Sequence, residues 1–473
     1  MEALEKNDIQ GFVLKGYGTM RHTRYAILHV DDAALAKAWL SQMSLEVSDG
    51  NHHARHTSLN IAFSYPGLKA LGLRDDNLRQ FTREFREGLT NAHRQRLLGD
   101  EGEDSPANWR WGGMTGDARA ENVHILLMVF AATEAILTEY WTQLEPVILN
   151  QGLSVISKLD GALSPGNKEA FGFHDGISQP QIAGYHRDTN PHDTVAAGEF
   201  LLGYKNEYGV YPESPIIPAT DQQGDTRLLP TIGPNQKDLG RNGSYLVFRQ
   251  MQQHVDRFWN FMRANTPNEP EAIKLASKMI GRWPSGAPLV LFPDKDPGED
   301  PSVDPKTYVV NDYGYARQDK EGLRCPFGAH MRRANPRDVF EDNGPALSES
   351  LTKKHRIIRR GRGYKLSIPT APGQPPHEEV GLHFMCFNAD IAHQFEFIQH
   401  TWANFPRFDR LHNDPDPIIG TVGNPPHGLV QDFTVPQCPV NRHVHNLQRF
   451  VTIRGGVYLF CPSITAIKYF ASI

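Results

Sequence analysis

The stretch RYAILHVDDAALAKAWLSQM, residues 24–43, reads as a strand running straight into a helix. Residues 24–30 form a short run of strand-forming side chains. Residues 32–43 then place apolar residues at helical spacing behind an acidic pair, the usual opening of a helix. The alternation continues outward. Residues 58–65 (SLNIAFSY) form a second expected strand, followed by helical material around residues 76–98. An apolar strand at 123–132, a helix at 133–149 and a fourth strand at 153–159 complete a β-α-β-α-β-α-β order.

From about residue 161 to 242 the chain is rich in glycine and proline and holds no sustained period. The pattern then resumes with a strand at 244–251 (SYLVFRQM) and a helix at 253–264. Later come a strand at 381–388 (GLHFMCFN), a helix at 391–404, a strand at 450–460 and a closing helical stretch. Two such sets suggest an α+β protein of two halves, each an antiparallel sheet with helices on one face. The element order repeats although the sequence does not. The expected domains are residues 1–190 and 191–473.

A chain of 473 residues fits two domains or one large one. A charged content of 22% with a net charge of −5 gives no global field for nucleic acid or an anionic membrane surface. No apolar run approaches the ~18 residues that a spanning helix needs. The start, MEALEKNDIQGFVLKGYG, has no basic segment leading into an apolar one, so the sequence reading is cytoplasmic. Cys325, Cys386, Cys438 and Cys461 make no CxxC pair and read as reduced structural thiols.

Four segments could carry chemistry. In FGFHDGISQP (171–180), Gly172 and Gly176 bracket Asp175, where glycines permit positive φ and close approach of a flat ligand. An ordinary Asp-Gly turn has the same pattern. In CPFGAHMRRANPR (325–337), His330 precedes Arg332, Arg333 and Arg337. An imidazole there suits an axial haem ligand and the arginines suit acidic groups, while a hydrogen-bonded core histidine and a solvated basic face fit equally. In KKHRIIRRGRGY (353–364), Arg359 follows two isoleucines that would bury its backbone, or the whole segment is a basic surface loop. In GLHFMCFNAD (381–390), Leu382, Phe384 and Cys386 alternate onto one face, as in a strand lining an apolar pocket. Asp390 stands at the strand–helix junction, a natural N-cap and also a possible carboxylate partner for an imidazole.

Taken together, and in this order, the four segments resemble the dye-decolourising peroxidase family. Residues 172–176 match its GxxDG motif and CPFGAHMRRANPR resembles its proximal-histidine segment; the likeness runs over essentially the whole chain. The resemblance implies two ferredoxin-like domains with haem b in a cavity belonging mostly to the second. It places the axial ligand at His330 and the catalytic pair at Asp175 and Arg359. Asp390 becomes the acceptor of the other His330 ring proton. Arg332, Leu382, Phe384, Gly176 and Ile177 become cofactor contacts, with Leu382 and Phe384 bordering the distal side. With no CxxCH, the haem would be held without thioether bonds.

The implied activity is reduction of hydrogen peroxide at the expense of aromatic reductants such as dyes and phenolics, one electron at a time. Bulky dyes would not enter a small distal pocket, so electrons would leave through surface tyrosines or tryptophans, among 15 and 7 that no spacing distinguishes. One departure concerns the position two beyond the distal arginine, often Asn or Ser in the family and Gly361 here. Two rivals come from other classes. A haem-binding or haem-handling protein without turnover would keep His330 but have no use for Asp175 beside Arg359. A basic binding module on residues 353–362 runs against the overall negative charge. The oligomeric state is not written in the sequence.

Overall fold

The computed structural model describes residues 2–51, 56–186, 190–340, 345–368, 376–421 and 431–473. Strands β1 (His22–Val30), β2 (Thr57–Phe63), β3 (Ile125–Ala131) and β4 (Leu153–Ala162) form an antiparallel half-sheet in the order β2-β3-β1-β4. Strands β5 (Ser244–Gln253), β6 (Ile358–Arg359), β7 (Arg362–Ile368), β8 (His377–Asn388) and β9 (Val451–Cys461) form the other. There β5 lies between β9 and β8, while β6 and β7 follow one another along the far edge of β8. With β6 and β7 counted as one interrupted strand, both halves show the same 4-1-3-2 order. This is the ferredoxin-like arrangement, and the repeated element order in the sequence is its trace.

The two half-sheets close on each other through single pairs, Phe460 with Phe63 and Gly363 with Ala162. The result is a barrel. Alternation along the strands then sorts the core into two layers. Tyr25, Ile27, Phe248 and Phe387 fill the interior, whereas Ala26, Leu28, Val247 and Cys386 face the covering helices.

Helix α1 (Ala33–Glu46) starts where the Asp32 carboxylate accepts the Ala34 and Leu35 N–H groups, and α2 (Glu134–Leu149) where the Thr133 hydroxyl accepts that of Ile136. Both fall where the sequence puts them. The region 76–98 does not form one helix: it holds three short ones, Asp75–Leu78, Arg83–Glu87 and Ala92–Leu98, punctuated by Gly88 and Gly99 at positive φ. The helix at 391–404 is wound in the wider π form over Ala392–Glu396 and Ile398–Asn404. Within it, the Gln394 side chain leaves the helix to donate to the Glu199 and Arg356 carbonyls, at 2.8 and 2.6 Å. Helices α3 (Val255–Ala264) and α4 (Glu269–Ile280) pack on each other and on Phe171, Phe173, Phe433 and Phe450 in a separate core.

The pairing of β8 with β5 and β7 leaves no room for a side chain at Gly381. A Cβ there would collide with the Met251 carbonyl and the Tyr364 ring. Gly381→Ala should therefore destabilise the protein by about 1–3 kcal/mol through overpacking. Urea unfolding of the variant against the parent measures this; equal midpoints would show that the strands separate freely at that point.

Candidate active site

A cavity of about 220 Å³ lies between the outer face of the second half-sheet and the π-wound helix, lined there by Met251, Leu382, Phe384, Val451, Phe395 and Ile398. The residues on β8 sit where strand alternation predicts, with Leu382 and Phe384 facing the cavity. Its far wall is the loop after β4, which carries Gly176, Ile177 and Asp175.

That loop is tied to itself before it reaches the cavity. The Glu169 carboxylate accepts the N–H groups of Phe171 and Phe173 at 2.9 and 2.8 Å, and also the Gln253 side chain. Gly172 and Gly176 adopt φ of +99° and +84°, the left-handed conformations that the two glycines permit without strain. Gln179 then exchanges two hydrogen bonds with the Arg359 backbone, accepting from its N–H at 3.1 Å and donating to its carbonyl at 3.2 Å. With both backbones joined, the Arg359 guanidinium donates to Asp175 Oδ1 at 2.7 Å. Burial by itself would raise the Asp175 carboxyl; the guanidinium and the Gly176 N–H outweigh it and hold the carboxyl below the usual range.

His330 heads the short helix His330–Ala334 on another wall. Its Nδ1 lies 3.0 Å from Asp416 Oδ2, and its Nε2 has no hydrogen bond among the described residues. Asp416 is fully buried and also accepts the N–H groups of Ile418 and Ile419. Burial opposes charge on both partners, yet their attraction prevails, raising His330 and lowering Asp416.

Two expectations need correction. Asp390 is not the partner of His330: its carboxylate accepts the N–H of His393 at 2.9 Å and meets the His393 ring at 2.7 Å. A carboxylate at a strand–helix junction is captured by the first free N–H groups of its own helix, which is the capping role. Arg332 does not reach the cavity either. It is 1% exposed, donates to the Asp319 and Cys325 carbonyls, and stacks on Phe327 and Tyr315. Gly361 faces a second space rather than the cavity; a Cβ there would stand 3.2 Å from both the His383 carbonyl and Leu382. Asp416 escaped the sequence reading because DPDPIIG has no period and lies 86 residues beyond His330. Glu169, a lone acid ahead of the glycine-flanked loop, carried no signal of its own.

The second space is an open groove of about 1070 Å³ along the β4–β7 seam. It meets the cavity at Asp175, Ile177, Arg359 and Leu382, so the acid–guanidinium pair stands where the two join.

An imidazole backed by a carboxylate, set in an apolar cavity with an acid–guanidinium pair, on a closed α+β barrel, defines a class: the haem peroxidases of barrel type. Residues 9–165 match the family model described as the DyP dimeric alpha+beta barrel domain. A dye-decolorizing peroxidase of Mycena epipterygia is 31% identical over 100% of this chain and 88% of its own. The crystal structure of a fungal DyP-type peroxidase from Auricularia auricula-judae superposes with a TM-score of 0.77 at 26% identity, covering 100% of both chains. An ancestral D-type dye-decolorizing peroxidase gives 0.78 at 26% identity, again over 100% of both chains. The chain belongs to the dye-decolourising peroxidase family. It is a haem peroxidase that uses hydrogen peroxide to oxidise organic reductants.

Removing the guanidinium in Arg359→Leu leaves burial as the main influence on Asp175, so its carboxyl should titrate at higher pH than in the parent. Infrared difference spectra of the carboxylate band across pH read this directly. A band unmoved from the parent would mean that another cation holds Asp175 ionised.

Proposed function

We propose that the cavity would hold haem b, with His330 as the residue that would bind its iron, and that Asp175 and Arg359 are the residues that act on hydrogen peroxide. The observation that carries this reading is the pairing of the polar groups: Asp175 with Arg359 and His330 on the wall of one apolar chamber, with Asp416 behind His330. The donor set fits the group. Phe384, Phe395 and Ile398 suit a flat apolar ring, and the one ring nitrogen of His330 without a protein partner is the one a metal would take.

When bound, haem would supply the redox centre that gives up two electrons as the peroxide O–O bond breaks and regains them singly from the reductant. The chain's residues do the rest. Asp416 accepts the His330 Nδ1 proton, which fixes the tautomer and leaves the Nε2 lone pair free. Asp175, held ionised by Arg359, accepts the proton from the nearer peroxide oxygen and returns it to the departing one as water forms. Arg359 stabilises the negative charge that develops on the departing oxygen. A protein that only carried haem would have no use for that second pair.

The reductants we infer are phenolics and dyes. A dye-decolorizing peroxidase has been crystallised in complex with 2,6-dimethoxyphenol, and here an open groove of about 1070 Å³ reaches Asp175 and Arg359. Larger dyes would exchange electrons through surface aromatics. We place the boundary between the two domains near residue 190. The four free thiols, three of them buried, support a reducing compartment such as the cytoplasm. Among the described residues no helix is long and apolar enough to cross a membrane.

His330→Ala should lose most of its haem, with added imidazole restoring the Soret band; a full, unchanged high-spin spectrum would remove His330 as the ligand. Asp416→Asn should raise the ferric/ferrous potential, because the ligand loses the negative charge behind it, whereas Asp390→Asn should leave the potential where it is. Spectroelectrochemistry separates the two, and the opposite result would reinstate Asp390. Peroxide cleavage followed by stopped flow should slow by about 10²-fold or more in Arg359→Leu, and also in Asp175→Asn. A fully haem-loaded Arg359→Leu as fast as the parent would assign the distal cation elsewhere.

A further inference from the structure

At one end of the cavity the charges do not balance. Arg282, Arg337 and Arg356 are all buried; Asp193, itself 6% exposed, acts on Arg337 and Arg356 and is linked to Arg282 through Asn311. Asn311 knits the group together: its side-chain amide donates to both Asp193 oxygens at 2.8 Å, and its side-chain oxygen accepts from Arg337 at 2.6 Å and Arg282 at 3.2 Å. Arg356 reaches Asp193 only at 3.8 Å. The next acid, Asp338, is occupied by Arg317 and by the backbone N–H groups of Ala316 and Arg317. Asp338 also acts on Arg337, and Arg317 is shared between Asp338 and Glu349, so four guanidinium groups face three carboxylates and cations outnumber acids here.

Burying charge without a counter-charge is among the costliest arrangements a protein can hold, and an interior cation of this kind calls for an anion from outside the chain. The donors tell the same story. Arg356 Nη2, Arg282 Nε and Asn335 Nδ2 are buried and lack hydrogen-bond partners, and all three residues belong to the cavity wall. Burial and the neighbouring Arg337 depress both Arg282 and Arg356, the latter to about 10, so both remain charged at neutral pH. Arg332 and Arg333 are equally buried and each also leaves its Nε without a partner, but neither belongs to the cavity wall; their other donors go to backbone carbonyls, and Arg332 also to Asp319. Arg359 is neutralised by Asp175.

We propose that Arg282, Arg356 and Asn335 form the site for the two carboxylate side chains of the haem, the role that sequence assigned to Arg332. The match is one of number and kind. Haem b carries two propionates, this end of the cavity carries two arginines with donors left over, and planar guanidinium donors suit carboxylates. The inference rests on the proposed cofactor, and orients it: the propionate edge faces Arg282 and Arg356, and the apolar edges face Phe384 and Phe395.

The test uses the full-length chain stripped of haem and titrated with two probes, haemin and its dimethyl ester, with the Soret band as readout. The parent should bind haemin at least about tenfold more tightly than the ester, because only haemin brings the counter-charges. Arg356→Leu should lose about tenfold in affinity for haemin and nothing for the ester, and Arg356→Lys should recover part of the loss. Should Arg356→Leu fail to fold, Asn335→Leu removes a donor without changing charge and must show the same selectivity in smaller degree. Equal affinity of the parent for both probes, or equal losses for both in the variant, would overturn the site while leaving the cofactor reading standing. Absence of a Soret band with haemin in the parent would overturn both.

Discussion

The ion pair between Asp175 and Arg359 joins residues 184 positions apart and fixes one wall of the cavity. One partner stands on a loop leaving the first half-sheet and the other on an edge strand of the second. Neither would be placed without the clamps behind it: Glu169 and two left-handed glycines shape the loop, and Gln179 staples it to the backbone of Arg359. The pair itself contributes little to stability. With side-chain exposures of 29% and 36%, solvent screens it, and its net worth is on the order of 1 kcal/mol or less. Its value is positional and electrostatic, since it keeps an acid ionised beside apolar surface.

The other side of the cavity is built by deeper burial. Asp416 is held by two backbone N–H groups and meets His330 from a loop anchored by Arg333, whose guanidinium donates to the carbonyls of Trp402, Phe405 and Asp414. Arginine thus has two uses in this molecule. Where its donors are spent on carbonyls, as in Arg332 and Arg333, it is an internal strut. Where arginines outnumber acids and their leftover donors line a cavity, as around Asp193, it is half of a binding site. Composition cannot distinguish the two.

Much of the fold was legible because it is written in short range. The strands at 24–30, 123–132 and 244–251 and the helices at 32–43 and 133–149 show their period and their caps. The strand Arg362–Ile368 was hidden by its polar sequence, RGYKLSI, with half-exposed positions that blur the alternation. The helical material at 76–98 is divided into three short helices, with breaks that a periodic pattern does not locate. Closure into a barrel was not legible at all, since each seam rests on a single residue pair.

By itself the sequence determined the chemistry available: an acid between glycines, a histidine before an arginine cluster, an arginine after two isoleucines, each recognisable within about ten residues. Only the tertiary structure decided the partners. Asp416 replaced Asp390 behind His330 because Asp390 is captured by its own helix, and Asp416 arrives from a distant loop without any period. Arg356 and Arg282 replaced Arg332 at the acid-binding end because what matters there is the balance of buried charge. That balance is a sum over groups remote in the chain and adjacent in space, and no local pattern records it.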